Sequence, residues 1–153
     1  MGTYKEVEGD LIQLALAGEF DVIAHGCNCF CLQKSGIAKD MSKTFETSNY
    51  KLEHKKYKGD INKLGSIDYN IFYLPYTYLY IVNAYTQYNP GKDLDYSALT
   101  LCLKKINHIF AGKHIGLPMI GCGIAGGTWG YVQMLIKDNL KDCDVTIVKY
   151  KPN

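Results

Sequence analysis

Apolar positions along the chain follow two rhythms, one of short dense runs and one repeating every three to four residues. The dense runs cover Phe20–His25, Ser66–Tyr73, Tyr76–Ala84, His114–Ile120 and Val145–Val148, and their lengths and Ile, Val, Tyr and Phe content predict strands, with Phe20–His25 central and His114–Ile120 buried. Thr3–Glu8, with Tyr4 and Val7 as its apolar members, predicts a first strand. Pro75 divides the second dense run from the third, which predicts adjacent strands joined by a tight turn. The slower rhythm puts Ile37, Met41 and Phe45 on one helix face. It puts Leu99, Cys102, Leu103, Ile106 and Phe110 on a second face, and Trp129, Val132, Leu135, Ile136 and Leu140 on a third. A brief helix over Leu11–Leu16 stops at Gly18 and Glu19. Asp93 or Asp95 is placed to cap the start of the Leu99 helix, and Gly112 its end. Asn49–Lys63 is polar and lysine-rich, and Gly59 interrupts it. It predicts a partly helical surface with solvated basic residues.

Helices alternating with apolar strands predict an α/β fold, a three-layer sandwich with a mixed, mostly parallel central sheet and ligand sites at the carboxyl ends of its strands. The middle pair of strands adds an antiparallel neighbour. At 153 residues the chain has one domain's length, so residues 1–153 are read as a single domain. Both junctions at the expected ligand edge carry glycine: Gly26 before Ser35-Gly36-Ile37-Ala38, and Gly121 to Gly127, where four of seven residues are glycine. Strand, glycine loop and helix in that order let main-chain N–H groups approach a ligand. The helix N-terminus adds partial positive charge, so phosphate or diphosphate is the natural guest. The competing reading is a tight turn with no ligand, and the loop matches neither a P-loop nor a GxGxxG fingerprint.

A formal net charge of +2, from 17 basic and 15 acidic residues, is too balanced for a nucleic-acid or membrane surface. No segment has the length and polarity of a transmembrane helix or signal peptide, so a soluble, cytoplasmic protein is expected. Six cysteines, at positions 27, 29, 31, 102, 122 and 143, include no CxxC pair and read as reduced thiols. Cys27-x-Cys29-x-Cys31 lacks the accompanying ligand set of a zinc site, so neither metal nor cofactor is expected. The thirteen tyrosines, concentrated between Tyr69 and Tyr88, suit strand faces.

Four pieces, in order, resemble a macrodomain over nearly the whole chain. They are Gly9-Asp10-Leu11, Val22 to Asn28, Ser35 to Ala38, and Leu117 to Gly127. The resemblance implies an ADP-ribose-binding domain. The run Ala24-His25-Gly26-Cys27-Asn28 is most similar to the branch that includes ADP-ribose-1''-phosphate phosphatases. By this resemblance Asp10 contacts adenine, with the Leu11 N–H beside it, and Asn28 contacts the distal ribose. Ser35, Gly36 and Ile37 in one loop, and Gly121, Cys122, Gly123, Ile124, Ala125 and Gly126 in the other, cradle the diphosphate and distal ribose. The implied partner is a small ADP-ribose derivative.

His25 ends a buried strand three residues before Asn28. It reads either as a proton-transfer group or nucleophile near neutral pH, or as a neutral core histidine. Asn28 reads either as a ribose ligand and catalytic positioner or as a loop cap. Relatives in this branch carry Asp where this chain has Thr128, which caps a helix but offers no carboxylate. Macrodomain hydrolases that use a lysine adduct carry an acid where this chain has Ala125, which disfavours that route. The expected function is ADP-ribose binding with hydrolysis of ADP-ribose-1''-phosphate. The alternatives are a non-catalytic ADP-ribose reader or scavenger, or a hydrolase that removes ADP-ribose from protein or nucleic acid.

Overall fold

The computed structural model describes residues 2–49 and 59–151. Six strands form one sheet in the order β1-β6-β5-β2-β4-β3. They are β1 (Tyr4–Gly9), β2 (Val22–Asn28), β3 (Ile67–Tyr73), β4 (Tyr78–Gln87), β5 (His114–Leu117) and β6 (Asp144–Tyr150). Neighbours run parallel except β3, which pairs antiparallel with β4 at one edge. The helices are α1 (Leu11–Leu16), α2 (Gly36–Phe45), α3 (Tyr96–Ile109) and α4 (Trp129–Asn139), with short 3-10 turns at Thr47–Asn49 and Ile61–Lys63.

Because strand side chains alternate between faces, each face of the sheet has its own core. Val22 and Ala24 of β2 pack with Leu99, Leu103 and Ile106 of α3 and with Val132 and Ile136 of α4. Ile23 of the same strand packs with Leu11, Ile12 and Ala15 of α1 and with Met41 and Phe45 of α2. Each such buried side chain contributes about 1.5–3 kcal/mol of transfer free energy. The result is the expected three-layer α/β sandwich with a mostly parallel sheet.

Several boundaries differ from the sequence-based reading. β2 continues through Asn28 and β4 through Gln87, because Cys27 still pairs with Tyr85, and Asn28 with Gln87 across a register shift. β5 stops at Leu117, since Pro118 has no N–H to extend the ladder. Asp95, not Asp93, caps α3: its Oδ1 accepts from the Ala98 N–H at 2.9 Å, while the Asp93 carboxylate accepts from the Asn89 N–H at 2.8 Å. Of the lysine-rich segment, residues 50–58 lie outside the described residues. Its far end is no solvated face, because Lys63 is buried and its Nζ donates to the Cys29 carbonyl at 3.4 Å. All six cysteines are free thiols.

Two connections position the site. From β2 the chain moves towards β4, on one side, and from β5 towards β6, on the other. The connections therefore diverge between β2 and β5. Diverging crossovers leave a crevice at the carboxyl ends of the strands, where open parallel sheets hold ligands.

Candidate functional site

The crevice holds two adjoining hollows of about 810 and 310 Å³ that share Gly36, Ile37, Pro118, Met119 and Gly123, and so form one elongated cleft. The larger is lined by Asp10, Leu11, Gln13 and Tyr150, with Lys39, Asp40 and Lys43 contributed by α2. The smaller is enclosed by Gly26, Cys27 and Asn28 from β2, Thr86 and Gln87 from β4, Ser35 to Ala38, and Ile120, Gly121 and Gly123 to Ala125 of the loop after β5. Every predicted ligand residue except Gly126 lines one or both hollows.

At the first end, Asp10 already has a structural task. Its Oδ1 accepts from the Gln13 N–H at 3.1 Å and caps α1, so one carboxylate oxygen is committed to the helix. The Leu11 N–H, in the first turn of α1, has no intrahelical acceptor. At the waist, α2 begins at Gly36 with φ +59°, and the Ser35 side chain makes no cap bond. The N–H groups of Gly36, Ile37 and Ala38 are therefore presented to the cleft with the positive end of the helix dipole behind them.

The loop after β5 divides its N–H groups between folding and the cleft. The Cys122 N–H donates to the Met119 carbonyl at 3.1 Å, the Gly126 N–H to Gly123 at 3.1 Å, and the Gly127 N–H to Gly121 at 2.8 Å. Cys122 and Gly126 were expected to bind the ligand through these groups, but the loop uses them to close its own turns. The N–H groups of Gly123, Ile124 and Ala125 have no main-chain acceptor among the described residues. The glycines divide the same way. Gly121 and Gly126 hold φ near +74° and +82°, and a Cβ there would stand 2.8 Å from Leu94 or 2.4 Å from Lys92. Those two shape the loop. Gly123 has ordinary φ, and a Cβ there would meet nothing within 4 Å, so its missing side chain is room in the cleft.

Asn28 lines the small hollow with its amide committed to loop capping. Oδ1 accepts from the Phe30 N–H at 3.0 Å and the Leu32 N–H at 3.2 Å, and Nδ2 donates to the Leu32 carbonyl at 2.9 Å. Of its polar capacity, the second Nδ2 hydrogen is what remains for a ligand.

His25 is not in the cleft. It shares the parity of Ile23, so it points into the α1–α2 layer opposite Asn83 of β4, and it is 0% exposed. Both Asn83 amide hydrogens are used, one to the Thr47 carbonyl and one to Asp68 Oδ1, each at 2.9 Å. Asn83 Oδ1, 2.6 Å from His25 Nε2, must therefore be the acceptor, and the histidine carries its proton on Nε2. Burial lowers its pKa to about 4, against the upward pull of the Asn83 bond. His25 is a neutral core residue out of reach of a cleft ligand, which corrects its expected catalytic role. The network continues through Asp68, whose Oδ2 accepts from the Tyr85 hydroxyl at 2.6 Å.

The small hollow has no carboxylate, lysine or histidine among its described lining residues. Its one ionisable group is the Cys27 thiol, whose pKa burial pushes well up. Thr128 starts α4 without a side-chain cap bond and lines neither hollow. No group of three or more His, Cys, Asp or Glu side chains among the described residues is arranged to hold a metal ion. Thr86 and Gln87 went unrecognised in the sequence because the strand was ended at Ala84. Carrying it three residues further, to Gln87, brings both to the ligand edge.

No family model matches the chain. An uncharacterised 17.5 kDa protein encoded in the tk-vs intergenic region of Enterobacteria phage T4 is 35% identical over 155 residues, covering 97% of each chain. Among solved structures, the macrodomain of Thermus aquaticus DarG superposes with a TM-score of 0.74 at 20% identity, covering 99% of this chain and 100% of that one. Thermosipho africanus DarTG in complex with ADP-ribose gives a TM-score of 0.73 at 15% identity, covering 99% of this chain and 42% of that one. At these identities the structural matches speak for the fold alone, whereas the phage match is close enough, over nearly full length, to establish kinship. The chain thus belongs to the same family as the 17.5 kDa protein of phage T4 and has the macrodomain fold.

Proposed function

We propose that the protein binds ADP-ribose, free or attached to a larger molecule, and that it acts as a reader or scavenger rather than as a phosphatase. Adenine lies at the Asp10–Leu11 end, the diphosphate at the waist, and the distal ribose in the small hollow. The observation that carries this reading is the composition of that hollow. It offers main-chain N–H groups from Gly36 to Ala38 and from Gly123 to Ala125, with no side chain able to move a proton near neutral pH. Such N–H groups suit a diphosphate held at a helix N-terminus. Phosphomonoester hydrolysis needs in addition a nucleophile or a general acid–base group within hydrogen-bond reach, and His25 lies outside the cleft. The ADP-ribose held by the structurally similar DarTG is consistent with this choice of ligand.

Calorimetric titration with ADP-ribose, ADP and AMP tests the reading. Affinity should fall in that order as groups leave the small hollow and then the waist. Equal affinity for all three, or none for any, removes the proposal.

A further inference from the structure

The two edges of the sheet are finished differently. β1 carries charge along its length: Lys5 and Glu8 are exposed, and Glu6 and Glu8 pair with Lys149 and Lys151 at 2.8 and 3.1 Å. Charge on an edge strand opposes pairing with another chain. β3 has no such guard. Between Ser66 and Tyr78 the sole charged residue is Asp68, which is buried and hydrogen-bonded to Asn83 and Tyr85. The bonds from the Tyr85 N–H to the Ser66 carbonyl and from the Leu74 N–H to the Thr77 carbonyl set the phase of the β3–β4 ladder. The N–H and C=O groups of Ile67, Tyr69, Ile71 and Tyr73 therefore point away from β4. Of these four N–H groups, that of Ile71 alone has an acceptor among the described residues, the exposed Asn70 side chain at 3.1 Å.

The side chains of the same four residues share a sheet face with Val82 and Phe110, and the patch is aromatic. Tyr69 meets the rings of Phe110 and Tyr80 at 5.2 and 6.1 Å, and Tyr78 meets Tyr80 at 5.7 Å, so several rings are held in place. Tyr73 is 77% exposed, and Tyr76 at the hairpin tip is fully exposed. With Tyr69, Ile71 and Tyr78 they leave on the order of 500 Å² of surface open per copy, at about 150–250 Å² for a whole tyrosine.

We infer that β3 is a self-association edge, and that its occupant is the β3 strand of a second copy of this chain running antiparallel to it. A two-fold axis at Asn70 sets Tyr69 opposite Ile71 of the second copy, and Ile67 opposite Tyr73. Each outward N–H then faces an outward carbonyl, and apolar side chains meet apolar side chains on the same face. The hairpin tip of one copy reaches towards Leu101 of the other, a half-exposed leucine that lies beside Gly65 just before β3. An edge without exposed charge fits another such edge. The open side-chain area approaches the roughly 800 Å² per partner of a standard interface, and the paired backbone adds to it. The charged β1 edge stops further addition, so the assembly closes as a reversible dimer with both clefts free.

Sedimentation equilibrium of the whole chain over micromolar to submillimolar concentrations tests this. The parent should show a monomer–dimer equilibrium. Ile71→Lys, at an exposed position outside both cores, should melt near the parent's temperature and raise the dimer dissociation constant about tenfold or more, because each substitution enters the interface twice. Tyr73→Lys should act in the same direction. Hydrogen exchange needs no variant: protection of the Ile67, Tyr69 and Tyr73 amides should rise with protein concentration. A parent that stays monomeric throughout, including one that instead takes up an extended peptide at this edge, overturns the inference. So does a dimer that both lysine variants leave unchanged, or an assembly that grows beyond two copies.

Discussion

The two ends of the cleft are built from different materials. The Asp10 end takes side chains from a helix cap and from the flank of α2, and it mixes charges: Asp10 and Asp40 with Lys39 and Lys43. The Asn28 end is neutral, and its polarity comes from peptide groups, two amides and two hydroxyls. On the proposed reading the charged end recognises a base through side chains and tolerates substitution piecemeal. The neutral end depends on where the backbone runs, so it fails when the backbone or the empty space above it changes.

The largest effect should accordingly come from filling that space. Gly123 lines both hollows, and its Cβ position is open. Gly123→Val should reduce ADP-ribose affinity about 100-fold or more, equivalent to roughly 3 kcal/mol, with a melting temperature close to the parent's. Gly126→Val should instead destabilise the fold, because it forces a β-branched residue into a positive φ against Lys92. If both variants fold and bind normally, the loop is a turn and the distinction between the two ends collapses.

Asp10→Ala comes next. It removes a hydrogen bond to a charged acceptor at the adenine end, which costs about 1–3 kcal/mol of binding. It also removes the α1 cap, which costs about 0.5–2 kcal/mol of stability. Asp10→Ser keeps the cap and loses the carboxylate, so its binding should drop while its stability recovers. Equal binding by all three proteins in calorimetry would show that the carboxylate serves the helix alone.

Protonation sharpens the contrast through His25. Its folded pKa of about 4 lies below its ordinary 6.5, so as pH falls the unfolded chain takes up the proton first. The full stability contribution is present above 6.5 and is lost as pH falls from there towards 4, at about 1.4 kcal/mol per pH unit. Denaturant midpoints of the parent should drop between about pH 7 and pH 5, and those of His25→Gln should drop less. ADP-ribose affinity should stay flat between about pH 6 and 8, because the distal hollow has no group that titrates there. An affinity that follows a pKa near 6.5 and goes flat in His25→Gln would return the histidine to the site.

The smallest effect is expected at Thr128, an exposed helix cap outside both hollows. Thr128→Asp should add about 0.5 kcal/mol of stability through the α4 dipole and create no phosphate release.

Much of this was legible in the residues. The helix faces of Met41, Leu103 and Ile136, and the switch between strand and helix rhythm, dictated two cores and a parallel sheet, because burial imposes those periods. Gly36 and Gly123 could be placed at the expected ligand edge because they follow strands in glycine junctions, and Asp10 only through the resemblance carried by Gly9-Asp10-Leu11. His25 was not legible. Whether it faced the ligand or the core depended on the parity of β2 and on Asn83, which lies 58 residues away in sequence. That the N–H groups of Cys122 and Gly126 are spent inside the loop was not legible for a related reason: the turns that consume them exist only in the folded loop. Thr86 was legible only through the length of β4, which the sequence reading ends at Ala84 and the structure at Gln87.

The central claim is that the distal hollow binds without reacting, and phosphate release from ADP-ribose-1''-phosphate tests it most directly, using protein that calorimetry has shown to bind ADP-ribose. The account predicts binding with phosphate release no faster than in protein-free buffer. Multiple turnovers by the parent, lost in Gly123→Val and in His25→Gln, would contradict it.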